Sequence, residues 1–166
     1  MRNKPTPTDA IIDSRDLLKL LNEKETDAEI AFDEWLDEIV EAERESRLER
    51  DQPFTEEDEK EFREEQTPFD EWVECSEDSD IEEYRALKSF CEEIDSMSGE
   101  SLLDGITIIA DHYFENYAEE LAEDVCDMKS ADSWPFNHID WEDAADELKT
   151  DYSSVEWDGH EFWIRS

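Results

Sequence analysis

Residues 151–164 read DYSSVEWDGHEFWI. Asp158-Gly159 sits between two segments of alternating polarity, and such a dipeptide is the strongest short-range signal for a two-residue hairpin with a type I′ turn. A turn of that length fixes the register. It sets Trp157 opposite His160, Val155 opposite Phe162 and Ser153 opposite Ile164 on one face of the ribbon. That face is expected to pack on the two helices that precede the hairpin. The other face carries Ser154, Glu156, Glu161 and Trp163, with Glu156 directly across from Glu161. Like charges placed opposite each other destabilise a sheet, so the acidic face is expected to serve something other than stability.

Working upstream, IDWEDAADELK (139–149) carries Trp141, Ala144, Ala145 and Leu148 at helix spacing, after a break at Trp134-Pro135. The segment DHYFENYAEELAEDVCDM (111–128) does the same with Phe114, Tyr117, Ala118, Leu121 and Val125. Before it, ITIIA (106–110) is a β-branched run read as a strand. Most of the surface of the four tryptophans Trp134, Trp141, Trp157 and Trp163 is therefore expected to be core.

The first hundred residues read as helices. Residues 1–9 are polar, contain two prolines and are expected to be loose. In AIIDSRDLLKLLNE (10–23), Asp13 or Ser14 can cap a helix bearing Leu17, Leu18, Leu20 and Leu21, with Ile11 or Ile12 placed for a hydrophobic staple. A longer helix follows over residues 27–50, with Ala28, Phe32, Trp35, Leu36, Ile39 and Val40 on one stripe. Beyond Val40 the stripe fades, so that half needs a cover or stays solvated. Pro53 and Pro68 bracket a short acidic helix, at whose start Thr55 and Asp58 have the spacing of a capping box. Ser79 or Asp80 then caps a helix with a seam of Ile81, Tyr84, Leu87, Cys91 and Ile94, ending near Met97 to Gly99.

The expected fold is thus α+β and predominantly helical. A loose segment (1–9) leads into an acidic helical region (10–100). A small module (105–166) follows, with two helices packed on a short antiparallel sheet that ends in a β-hairpin.

Fifty-three Asp and Glu against 15 Lys and Arg give a formal charge of -38 over 166 residues. An acidic disordered tail would be poor in aromatic residues, whereas 11% of this chain is Phe, Trp or Tyr. The chain should fold, at a cost in self-repulsion. Its field repels nucleic acid and anionic membranes and attracts basic surfaces. No apolar run is long enough for a membrane span and no signal-like segment is visible. An odd number of separated cysteines, Cys75, Cys91 and Cys126, suits reduced and mostly buried thiols. A cytoplasmic protein is expected.

Catalytic motifs are lacking. His112, His138 and His160 lie apart, His138 at a helix start and His160 as a packed hairpin residue, and three glycines leave little material for a phosphate loop. Aligning each glycine with the sixth position of an EF-hand loop puts Ile94, Glu100 or Ser154 at the first ligand position, and none completes the pattern. Neither an enzyme nor a metal or organic cofactor is expected.

What remains is charge geometry. Glu115, Glu119, Glu123 and Asp127 follow i, i+4 spacing, with Glu120 and Asp124 beside them. Neighbours at that spacing lie about 5–6 Å apart at Cβ, comparable with successive phosphates on a nucleic-acid strand. Asp143 and Asp146 of the next helix and Glu156 and Glu161 of the hairpin complete the candidate partner-binding carboxylates. At one charge per about 1.7 Å of duplex axis, the net charge matches roughly 65 Å of B-DNA. A compact chain of this length spans roughly 40 Å, which favours an elongated, DNA-like body.

Residues 105–166 resemble the C-terminal module of ArdA-type antirestriction proteins and related phage proteins. The resemblance rests on Tyr117 to Asp124 (YAEELAED), Trp134-Pro135, Ile139 to Lys149 (IDWEDAADELK) and Asp151 to Trp163 (DYSSVEWDGHEFW). It implies a DNA mimic of phage or mobile-element origin that evades host defence. Such a protein occupies the DNA-binding groove of a type I restriction-modification enzyme, with homodimerisation left open. Residues 1–100 do not look like that family's partly β N-terminal region. Other targets therefore stand beside the first: a DNA glycosylase, a CRISPR effector or a nucleoid protein. From a different class comes an acidic, halophilic scaffold whose charge serves solubility.

Overall fold

A computed structural model describes residues 4–99, 101–126, 134 and 136–165. The protein is α+β and mostly helical. Among the described residues the order is β1 (Ile11–Asp13), α1 (Ser14–Glu49), α2 (Glu56–Glu64), α3 (Phe69–Cys75), α4 (Ser79–Ser98), β2 (Thr107–Ala110), α5 (Phe114–Cys126), α6 (Trp141–Lys149), β3 (Tyr152–Trp157) and β4 (His160–Arg165). The strands form one antiparallel sheet in the order β1-β2-β4-β3.

Two compact units divide the chain: Met1–Leu21 with Ala86–Ser166, and Asn22–Arg85. This cut differs from the expected division near residues 100–105, for a physical reason. Ile12, Leu17, Leu87, Phe90, Cys91 and Ile94 share one core with Ile108, Val155, Phe162 and Ile164, so the chain's beginning is built into the C-terminal sheet.

In this first unit the hairpin has the expected register, with Trp157 opposite His160, Val155 opposite Phe162 and Glu156 opposite Glu161. Its turn residues Asp158 and Gly159 both have positive φ, +49° and +73°, as a type I′ turn requires. A Cβ on Gly159 would meet nothing within 4 Å, so Gly159→Val acts through backbone strain alone. It should cost about 1–2 kcal/mol, read as a fall in melting temperature of about 2–8 °C. An unchanged melting temperature would refute the role given to the turn.

The face on which the hairpin packs is a correction. Val155, Trp157, Phe162 and Ile164 lie against α1 and α4, with Phe90 stacked on Trp157 at 5.2 Å. Helices α5 and α6 cover the opposite face, where Ile109, Phe114, Ala118 and Ala145 pack with Tyr152 and Trp163. The sheet is therefore sandwiched between helices. Strand β2 lies inside it, which explains its unbroken apolar run: Ile108 feeds one core and Ile109 the other.

Near the N-terminus, Ile11–Asp13 is an edge strand paired with β2 rather than a staple for a helix. Before it, Thr6 and Asp9 close a hydrogen-bonded turn in the segment expected to be loose. Ser14 is fully buried. Its hydroxyl donates to the Leu102 carbonyl at 2.6 Å and accepts from the Ile106 N–H at 2.8 Å, tying the start of α1 to the approach to β2.

Helix α1 is continuous over 36 residues, where two helices were expected. The polar stretch Asn22–Asp27 contains neither Gly nor Pro to stop it. In the second unit α2 is joined to its fading half by ion pairs. Arg47 pairs with Glu43 and Asp58, Arg44 with Glu59, and Arg63 with Asp37. Arg44 and Arg47 also lie over the Phe54 ring at 5.6 and 4.8 Å. The capping box of Thr55 and Asp58 is present and, with Arg47, holds the Asp58 carboxyl below its usual range. Helix α3 is an additional element that opens directly after Pro68.

Several side chains lie elsewhere than expected. Val125 is 75% exposed because the whole last turn of α5, from Asp124 to Cys126, is uncovered. Trp134 is 79% exposed, Trp141 and Trp163 are half-buried, and only Trp157 of the four is buried. His160, at the tip of the ribbon, is exposed. Cys75 and Cys126 are exposed free thiols, while Cys91 is buried with its pKa pushed up to about 12 by desolvation.

Candidate functional site

The expected carboxylates of the first unit sit on three regular supports. On α5, Glu115, Glu120 and Asp124 are exposed, whereas Glu119 and Glu123 are half-buried. The i, i+4 ladder is therefore not one uniformly open face. Glu123 already has a partner, and Glu120 accepts a hydrogen bond from the Tyr113 hydroxyl, which raises the tyrosine pKa. Asp127 lies outside the described residues. On α6, Asp143 and Asp146 are exposed and three residues apart, on one side of the helix. Glu156 and Glu161 are exposed and face each other across β3 and β4.

A shared core fixes these supports. The Phe114 ring contacts Tyr117, Tyr152 and Trp163 at centroid distances of 5.7, 5.1 and 5.9 Å, locking α5 to the sheet. The Tyr117 and Tyr152 hydroxyls are hydrogen-bonded at 3.1 Å. Burial raises the Tyr152 pKa. The acids beyond this core are held by a rigid base.

Cations are scarce here. No Lys or Arg occurs between Lys88 and Lys129, and only Lys149 and Arg165 follow. Lys149 is spent internally: its ammonium donates to Asp111 at 2.7 Å and lies 5.0 and 5.4 Å from the Trp163 and Phe114 rings. That ammonium, with the Trp163 indole N–H donating at 2.8 Å, holds the Asp111 carboxyl below its usual range. Folding lowers this pKa, so the contact's stabilisation is complete above about pH 4 and is lost as pH falls through the lower folded value. The stability gap between wild type and Lys149→Met should therefore be largest at neutral pH and close on acidification. Other carboxylates titrate in both proteins and cancel in the difference. A gap independent of pH would contradict the ion pair.

Among the described residues, no three His, Cys, Asp or Glu side chains come close enough together to hold a metal ion. No helix among them is long and apolar enough to cross a membrane. A cavity of about 240 Å³ in the second unit, between Lys24, Ala28, Asp78, Asp80 and Ile81, has a lysine paired with Glu83 at its wall. No catalytic arrangement is built there.

One feature of the second unit, outside the acidic ladder and the hairpin, has a plain signal in the sequence. The tetrapeptide FDEW occurs twice, at residues 32–35 in α1 and 69–72 in α3. The two copies pack ring against ring: Phe32 lies 5.5 Å from Phe69 and 5.3 Å from Trp72, and Trp35 lies 6.1 Å from Trp72.

Compared with protein-family models, with curated proteins and with solved structures, the chain matches none.

Proposed function

We propose that the protein is a DNA mimic of phage or mobile-element origin. It inhibits a host DNA-binding defence enzyme in the cytosol by occupying the groove meant for duplex. One observation carries this reading most: exposed carboxylates stand on helices and strands that bear almost no cations, and Lys149 among those few is paired with Asp111. A protein acidic only for solubility has no reason to set Glu156 across from Glu161 on a rigid ribbon. A mimic does, because like charges held at fixed spacing are what a DNA-binding groove recognises. The chemistry is binding rather than catalysis, and the target's Lys and Arg supply the counter-charges.

The resemblance of residues 105–166 to ArdA-type proteins makes a type I restriction-modification enzyme the first target. Purified protein should protect DNA from such an enzyme in a salt-sensitive manner and should give no gel shift with duplex DNA. Binding to the DNA itself would refute the mimic. If the type I enzyme is unaffected, capture from host lysate decides between a glycosylase, a CRISPR effector and a nucleoid protein. A fold that collapses at low salt and inhibits none of these is the halophilic scaffold instead.

A further inference from the structure

The two FDEW segments bring four rings together in the second unit, Phe32, Trp35, Phe69 and Trp72. None of the four is buried; the buried side chains of this unit are Ala28, Val40, Val73, Ile81 and Tyr84. Beside the rings stand exposed acids, Asp33 and Glu34 in one copy and Glu71 in the other, where the neighbouring Asp70 already has a partner. Residues 25–43 and 64–84 contain no Lys or Arg at all.

The molecule shows elsewhere what such a combination takes. Arg47 lies over Phe54 while pairing with Glu43 and Asp58, and Lys149 lies over Trp163 while pairing with Asp111. In both places a ring face and a carboxylate share one cation. Among the described residues, no Lys or Arg of this chain lies over any of the four FDEW rings.

We propose that the paired FDEW segments form a docking surface for an arginine-bearing segment of a basic protein partner. Tryptophan gives the best cation–π partner, and a planar guanidinium can lie flat on it while turning a two-pronged edge to a carboxylate, where an ammonium offers only a point charge. The acidic surround repels phosphate, so neither nucleic acid nor an anionic lipid surface fits. The surface shares with the proposed function only the premise that the partner is basic; it uses none of the carboxylates of the first unit.

The test uses the full-length protein, labelled with nitrogen-15 and titrated with a short Arg-Ser repeat peptide and with a Lys-Ser repeat of the same length. Indole N–H resonances are assigned with Trp35→Phe and Trp72→Phe. The Arg peptide should move the Trp35 and Trp72 resonances while leaving that of Trp163, which is hydrogen-bonded to Asp111, in place. It should bind about threefold to fivefold tighter than the Lys peptide. The pair Glu34→Gln/Glu71→Gln, on exposed positions that leave the rings intact, should weaken the Arg peptide severalfold. The pair Glu156→Gln/Glu161→Gln should not. Equal affinity for the two peptides, shifts spread over all the tryptophans, or no binding each overturns the docking surface. Selective Arg binding by a protein that inhibits neither the type I enzyme nor any of the other DNA-binding targets would uphold the surface and sink the DNA-mimic reading.

Discussion

Replacing Glu115, Asp124, Asp143, Glu156 and Glu161 together by their amides should lower inhibitory potency on the order of a hundredfold. Exposed ion pairs contribute about 0.2–1 kcal/mol each, and every 1.4 kcal/mol is about a factor of ten. The five are chosen because each is exposed. Half-buried Glu119 and Glu123, and Glu120 on the Tyr113 hydroxyl, would confound fold with function. The same change should leave the melting temperature equal or higher, since it removes like-charge repulsion of tenths of a kcal/mol between neighbours. Potency and stability thus move in opposite directions. Undiminished potency at both low and physiological salt would show that these faces do not meet the target. A weaker salt dependence of the residual inhibition is the accompanying signature.

The largest effect on stability is expected from Phe162→Ala, about 3–5 kcal/mol. Phe162 is fully buried on β4, pairs across the ribbon with Val155, and its ring lies 5.6 Å from Phe90 and 6.4 Å from Trp157. Truncation therefore opens a void where α4 meets the sheet, and neighbouring rings cannot collapse into it without leaving their own contacts. Denaturant unfolding would read the loss directly. A cost below 1 kcal/mol would mean that the hairpin is not seated on this core. Truncating Trp163 on the other face tests a different layer, where an indole hydrogen bond to Asp111 is lost as well.

The hairpin was legible because two independent signals agree there: Asp158-Gly159 sets the turn and strict alternation sets the register. The capping box at Thr55 was legible for the same reason. The strand Ile11–Asp13 was not. Two isoleucines before Asp-Ser fit a staple as well as a strand, and only β2, close to a hundred residues away, chooses between them. Alternation revealed that the ribbon has two faces but could not say which helices cover which. Seven residues of α3 are too few for periodicity to register. The acids of the candidate surface were visible individually. Their exposure was not, because Glu119 and Glu115 differ only in what the fold places beside them.

The placement of β1 also sets an order of events during synthesis. Asn22–Arg85 is a continuous stretch that makes a compact unit of its own, so it can form as soon as it clears the ribosome. Ile12 and Leu17, translated earlier, must wait for Ile108, Phe162 and Ile164 to arrive. Until then the chain's first segment has no partner for its strand edge or its apolar side chains. The high negative charge keeps such nascent chains apart during that interval, so charge of one sign serves the chain before its fold is complete.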